Sequence, residues 1–216
     1  MSGELWIVGG SNGAGKTTAV STPDVRRLLS GVTFLNPDAV TLNKLRSIGY
    51  STFSDVPDDE LRGLYLASAN ETESEMADRL VTGGRVGVET VLSSRKYIPH
   101  VERLIEAGGL LRLIYVSLRS ADIAVRRVAS REQSGGHGVP EDKVRGRFVR
   151  SHKLLPWFLS RAATGFVFDN SSSEPGVGPS LVARSTNGTL TFRDASADIA
   201  PELAAALDAV VAGPVS

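Results

Sequence analysis

Short apolar runs punctuate the chain at Leu5–Val8, Val32–Leu35, Val86–Val88, Leu110–Val116 and Gly165–Phe168. Several carry β-branched residues, and the stretches between them place apolar residues at helical spacing. Strands alternating with helices predict an α/β fold with a five-stranded, mostly parallel sheet flanked by helices. Thr22-Pro23-Asp24 offers an N-cap, an N1 proline and a first-turn acid ahead of Val25–Leu29. Ser94 is expected to cap a helix carrying Ile98, Val101, Leu104 and Ile105, which Gly108-Gly109 would end. Ser120 and Asp122 start another helix that runs to about Gln133, and Pro140-Glu141-Asp142 opens the next. The connection from Asn36 to Val86 is too long for one crossover helix and predicts two or three. Beyond Asp169 the pattern changes to a β-hairpin, with Leu181–Arg184 and Thr189–Phe192 flanking Asn187-Gly188, which suits a type I′ turn. A final helix is expected near Pro201–Val211. No linker interrupts the chain, so residues 1–216 read as one domain. Within it lie a helical region over about 37–84, a lid over about 131–147 and a C-terminal extension over about 173–216.

Composition narrows the chemistry. The 216 residues are 41% hydrophobic and 22% charged, ordinary values for a globular protein. Lys plus Arg is 24 and Asp plus Glu is 24, so the chain lacks the overall cationic field of a nucleic-acid or membrane-surface binder. Neither kind of partner is expected. The absence of cysteine excludes disulfides, thiolate metal sites and cysteine nucleophiles. The start has no basic n-region or cleavable apolar stretch, and no run reaches about 18 apolar residues. A cytoplasmic location is therefore expected.

Directly after the first apolar run comes Gly10-Ser11-Asn12-Gly13-Ala14-Gly15-Lys16-Thr17, then Thr18. It matches G-x-x-x-x-G-K-[ST] between a strand and a helix start, the setting in which backbone N–H groups cradle a polyphosphate. Lys16 would reach the β and γ phosphates, and the Thr17 hydroxyl would ligate Mg²⁺. ATP and Mg²⁺ are the cofactors this loop implies, within a P-loop NTPase fold.

Two classes of P-loop protein compete. Ser134-Gly135-Gly136-His137 is reminiscent of an ABC ATPase signature, but Asn170 follows Asp169 where a catalytic glutamate would be needed. A small-molecule kinase instead needs a base for the attacking hydroxyl and cations for the phosphoryl group in flight. Ligands of open parallel sheets bind beyond the carboxyl ends of the strands. Asp38 lies just past the second strand, and is either that base, a water-mediated Mg²⁺ ligand or a helix first-turn acid after Pro37. Glu89 ends the third strand, where a carboxylate needs a partner, a ligand or a metal. Charge is also unevenly spread. Between Asp55 and Arg79 the acids Asp55, Asp58, Asp59, Glu60, Glu71, Glu73, Glu75 and Asp78 face only Arg62 and Arg79. Further on, Arg119, Arg126, Arg127, Arg131, Lys143, Arg145, Arg147, Arg150 and Lys153 outnumber Asp122, Glu132, Glu141 and Asp142. Two arginine-bearing helices joined by a glycine-rich tip would form a lid over ATP, or else a solvated basic face. His137 and Asp169-Asn170-Ser171 read as loop and turn residues.

Taken together these residues resemble the zeta-toxin family of P-loop kinases, particularly its chromosomal zeta-like branch. The resemblance runs from Leu5 to about Ser172. It is carried by Gly10–Thr18, Phe34-Leu35-Asn36-Pro37-Asp38, Val88-Glu89-Thr90-Val91-Leu92-Ser93, Gly135–Pro140, Arg147 with Arg150-Ser151, and Phe168-Asp169-Asn170-Ser171. It implies phosphorylation by ATP of the 3′-hydroxyl of the sugar in UDP-N-acetylglucosamine, and an antitoxin protein as partner. By resemblance Asp38 would be the general base, and Lys16, Arg131 and Arg147 would hold phosphates. Glu89, Thr90 and Asp38 would contact the acceptor. The family carries glycine, threonine, leucine and arginine after this glutamate, whereas this chain has Thr90-Val91-Leu92-Ser93, with Arg95 nearby. Two further readings keep the P-loop: a kinase for another small molecule such as an antibiotic or nucleoside, and a nucleotide-dependent switch ATPase without an acceptor.

Overall fold

The computed structural model describes residues 3–133, 138–174 and 176–211. Strand β1 (Glu4–Gly9) lies at the centre of a sheet ordered β2-β3-β1-β4-β5-β6-β7. Here β2 is Thr33–Leu35, β3 Arg85–Thr90, β4 Leu110–Ser117, β5 Thr164–Asp169, β6 Ser180–Thr186 and β7 Thr189–Arg193. The first five strands are parallel, as the apolar runs predict. Leu5, Trp6, Ile7 and Val8 are all buried, because helices cover both faces and a strand between two covered faces shows no alternation.

The sheet has seven strands rather than the five expected. The hairpin forms as predicted, with positive φ at Asn187 and Gly188, but it does not stand apart. Strand β6 pairs antiparallel with β5, from Thr164 opposite Thr186 to Asp169 opposite Ser180. An unpaired β5 would leave a row of N–H and C=O groups open, and the hairpin satisfies them. Helix α8 (Pro201–Val211) returns across this end and buries Leu203, Ala206, Leu207 and Val210.

The long connection resolves into α3 (Pro37–Ser47), a 3₁₀ turn at Phe53–Asp55 and α4 (Asp58–Val81). Asn36 caps α3 through its side-chain oxygen, which accepts from the N–H groups of Asp38 (3.0 Å) and Ala39 (3.4 Å). Much of the acid of this region is paired: Glu71 with Lys44 of α3 (2.6 Å), Glu75 with Arg79 (2.8 Å) and Glu73 with Lys96 (2.8 Å). Helix α5 (Ile98–Glu106) starts with Tyr97 at its N-cap position, so Ser94 does not cap it. Helices α6 (Ala121–Gln133) and α7 (Glu141–Leu159) begin where the sequence placed them. The tip between them, residues 134–137 with His137, lies outside the described residues. No described helix is long and apolar enough to cross a membrane.

Helix α7 is seated on the sheet by buried polar pairs as well as by Val144, Phe148, Leu155 and Phe158. The His152 Nδ1–H donates to the Phe148 carbonyl (2.8 Å), so in the neutral ring Nε2 accepts from the Ser117 hydroxyl (2.9 Å). Burial holds the imidazole below its ordinary value of 6.5, while the Phe148 bond and the charge of Glu202 oppose that shift. The unfolded chain therefore takes up this proton more readily than the folded one, and stability falls as pH drops through and below about 6.5. His100, also held low by burial, adds to the same slope. Urea midpoints at pH 7.5 and 5.5 should show the loss in the parent protein and a smaller loss in His152→Gln. Equal losses in both proteins would refute this assignment.

Candidate active site

The loop from Gly10 to Gly15 joins β1 to α1 (Lys16–Val20), which α2 (Pro23–Leu28) follows. Three of its glycines, Gly10, Gly13 and Gly15, are required by geometry; Gly13 has φ 72°, and a Cβ there would press on the Ala124 carbonyl of α6. Gly10 has φ 145°, and a side chain there would strike the Val116 carbonyl of β4. Gly15 has φ 80°, and a Cβ would fall against the amide nitrogen of Asn170. Ser11 and Ala14 are buried, whereas Thr17 and Thr18 are exposed on the first turn of α1.

Lys16 threads back into this loop. Its Nζ donates to the carbonyls of Gly10 (3.1 Å) and Ser11 (3.3 Å) and lies 3.9 Å from the Glu89 carboxylate. Burial lowers the ammonium's pKa, Arg131 pushes in the same direction, and Glu89 opposes both. A buried cation held mainly by carbonyl oxygens gains from exchanging them for the charged oxygens of a phosphate.

Asn12, Lys16, Thr17, Asp38, Glu89, Thr90 and Arg131 line one cleft of about 570 Å³, with Phe34, Leu35, Asn36 and Pro37 along its far wall. Elements distant in sequence are gathered here by the sheet: β1 supplies the loop, β2 leads to Asp38, and β3 ends at Glu89 and Thr90. Arg147, one face of α7, reaches the same loop by donating to the Asn12 side-chain oxygen (3.3 Å). Lys16, Thr17, Asp38, Glu89, Thr90 and Arg131 thus share the cleft, Arg147 touches the loop, and Thr18 stands exposed on α1 outside the cleft lining.

The basic region divides by role. Arg127 donates to the Gly13 carbonyl (3.5 Å) and the Ser172 carbonyl (3.0 Å), so it clamps the loop from the β5 side. Arg145 pairs with Asp122 (2.6 Å) and Glu141 (2.8 Å) on the solvated outer face. Arg131 lines the cleft, and Arg147 reaches its loop.

Sequence reasoning missed Asn170. Asp169 forms the expected turn, accepting from the Ser171 N–H (2.9 Å) and hydroxyl (2.8 Å). Asn170, however, donates its amide to the Ala14 carbonyl (2.9 Å) and braces the loop across 156 residues of chain. Its position just past the carboxyl end of a parallel strand was the available signal. Tyr65 was also missed. It stacks on Phe53 (5.7 Å between centroids), and its hydroxyl is pushed up by burial and by the charge of Asp38.

No family model matches the chain, and no curated protein matches it. Solved structures do. A chain of the AvrRxo1-ORF1:AvrRxo1-ORF2 complex with sulphate ions superposes with a TM-score of 0.64 at 16% identity, over 97% of this chain and 76% of that one. In the same complex with ATP the values are 0.61 and 15%, with the same coverage. A chain from the PezAT chromosomal toxin–antitoxin system of Streptococcus pneumoniae gives 0.53 at 11%, over 100% of this chain and 80% of that one.

Gly15→Ala tests the loop geometry, since it forces a side chain against Asn170 at positive φ. ATP affinity measured by calorimetry should fall at least about tenfold, while Gly49→Ala, also at positive φ but in open space, should leave it unchanged. Near-normal affinity in Gly15→Ala would mean that the loop binds no phosphate in this conformation. The chain shares the α/β fold of a chain of the AvrRxo1-ORF1:AvrRxo1-ORF2 complex and of a chain of the PezAT system.

Proposed function

We propose that the chain is an ATP-dependent phosphotransferase that phosphorylates a hydroxyl of a small molecule, namely the 3′-hydroxyl of the sugar in UDP-N-acetylglucosamine. One observation carries the reading: Asp38 and Glu89 share a cleft with Lys16, Thr17 and Arg131. A plain ATPase has no need of a carboxylate-walled cavity opening off its phosphate loop. The zeta-toxin resemblance supports the UDP-sugar, and the AvrRxo1 complex solved with ATP supports the donor.

Asp38 accepts the proton of the acceptor hydroxyl as its oxygen bonds to the γ-phosphorus, and the bond from that phosphorus to the β–γ bridging oxygen breaks to release ADP. Lys16, Arg131 and Arg147 offset the negative charge spread over the phosphoryl oxygens. Glu89 and Thr90 orient the acceptor from the end of β3. Among the described residues no three His, Asp or Glu side chains gather as a metal site. That sparse donor set fits Mg²⁺, which keeps most of its water and binds chiefly through nucleotide phosphates. Thr17 would hold it, with Asp38 reaching it through water, and it would neutralise charge on the β and γ phosphates. ATP and nucleotide sugars are cytoplasmic metabolites, so the enzyme is assigned to that compartment. Neighbours solved as two-protein assemblies, one of them a toxin–antitoxin system, support an antitoxin-like protein as partner.

Incubation with ATP and a metabolite extract, read by mass spectrometry, should yield a phosphorylated UDP-sugar. A different phosphoester would reassign the acceptor, and ADP without any new phosphoester would favour a switch ATPase. Lys16→Ala should abolish transfer. Asp38→Asn should retain ATP binding and lower kcat by about 10²- to 10⁴-fold; near-normal turnover would remove it as the base. Arg131→Ala and Arg147→Ala should each lower kcat by about 10²- to 10³-fold, and unchanged rates in both would refute the lid assignment.

A further inference from the structure

Where α7, β4 and the turn after β3 meet, three polar groups that the transfer reaction does not use form a buried chain. The Ser151 hydroxyl lies 2.8 Å from the Tyr115 hydroxyl and 2.9 Å from the Val91 carbonyl. Ser151 and Tyr115 are fully buried. A carbonyl only accepts and a serine has one proton to give, so Ser151 donates to Val91 and Tyr115 must donate to Ser151. Burial pushes the Tyr115 phenol far above its ordinary range, which keeps that donor protonated.

The carbonyl at the end of this chain belongs to an unusual turn. Leu92 has φ 55°, a conformation that side-chain-bearing residues avoid, and it is buried nonetheless. Such a residue persists only where its surroundings over-determine it. Its N–H donates to the Thr90 hydroxyl (3.2 Å), and its side chain packs so close over Gly9 that a Cβ there would lie 3.1 Å from it. The Val91 carbonyl is the remaining handle, and Ser151 holds it. Val91 follows Glu89 by two residues, and Ser151 follows Arg147 by one helical turn.

We propose that Ser151, oriented by Tyr115, is a positioning residue that fixes the turn after β3 and so sets Glu89 and Thr90 relative to the phosphate loop, which Arg147 of the same helix contacts. This rests on the reading of the cleft as a phosphotransfer site. A serine that merely satisfied itself in a core would need one partner, whereas this one ties the turn that carries cleft residues to the helix whose Arg147 contacts the phosphate loop.

The test uses the full chain, ATP and UDP-N-acetylglucosamine as acceptor probe. Ser151→Ala should lower kcat/KM for the acceptor by about ten- to a hundredfold while KM for ATP stays within about twofold. Tyr115→Phe leaves the Ser151–Val91 bond in place and should show the same split at under about fivefold; it also serves if Ser151→Ala does not fold. No change in either variant, or an equal loss for both substrates, overturns the proposal. Amide hydrogen exchange supplies a readout without substrate. In Ser151→Ala the Leu92 amide should exchange at least about tenfold faster while β1 and β4 keep their protection, and a uniform rise or none overturns the proposal. If the parent protein phosphorylates no acceptor, the functional reading fails, and the exchange result alone decides the positioning role.

Discussion

Parallel hydrogen bonding on both flanks of β1 brings Gly9 level with Thr90 of β3 and with Tyr115 of β4. That single register determines where everything in the cleft stands. The phosphate loop begins one residue later, so Lys16 turns back among groups that β3 and β4 have already carried to the same height. Strand β2 pairs on the outer side of β3, with Leu35 opposite Val88, and three residues later the chain reaches Asp38. A slip of one residue between β1 and β3 would turn Glu89 to the other face relative to the loop. The cleft is thus a product of sheet register before it is a product of its side chains.

Its electrostatics follow from the same arrangement. A charge balance of 24 against 24 conceals a cleft in which two carboxylates face Lys16 and Arg131. Lys16 is poorly solvated, and its ion pair with Glu89 is long at 3.9 Å. Buried charges cost several kcal/mol unless well paired, so this ammonium is a strong attractant for a polyanion. The acids of α4 contribute little to that field, because Glu71, Glu73 and Glu75 are spent on lysines and an arginine of their own neighbourhood.

Much of this was legible in the chain. The phosphate loop, Asp38 and Glu89 could be picked out because each sits where a strand ends on the ligand-binding edge of a parallel sheet, and Arg131 and Arg147 because basic residues crowd two consecutive helices. Helices α6 and α8 start where capping residues and prolines signal them. The illegible parts depend on contacts between distant segments. Asn170 looks like turn chemistry until β5 is known to lie beside β4, and Arg127 looks like any basic surface residue until α6 is packed on the loop. The hairpin announces its turn through Asn187-Gly188, yet nothing local reveals that β6 completes the edge of β5. Ser94 failed as a cap because Pro99 and the buried Tyr97 set the start of α5 instead.

That hairpin turn also abuts the end of α7. The Asn187 and Gly188 N–H groups donate to the carbonyls of Ala163 (3.0 Å) and Ala162 (3.1 Å), and a side chain at Gly188 would strike the Ser160 carbonyl. With α8 packed along it, α7 is gripped at the end opposite its arginines. The helix is in effect a lever whose fulcrum is the Ser151 contact and whose anchored arm is the C-terminal segment. A version of this protein lacking everything after residue 173 would keep every recognisable motif and lose the mount that aims one of them.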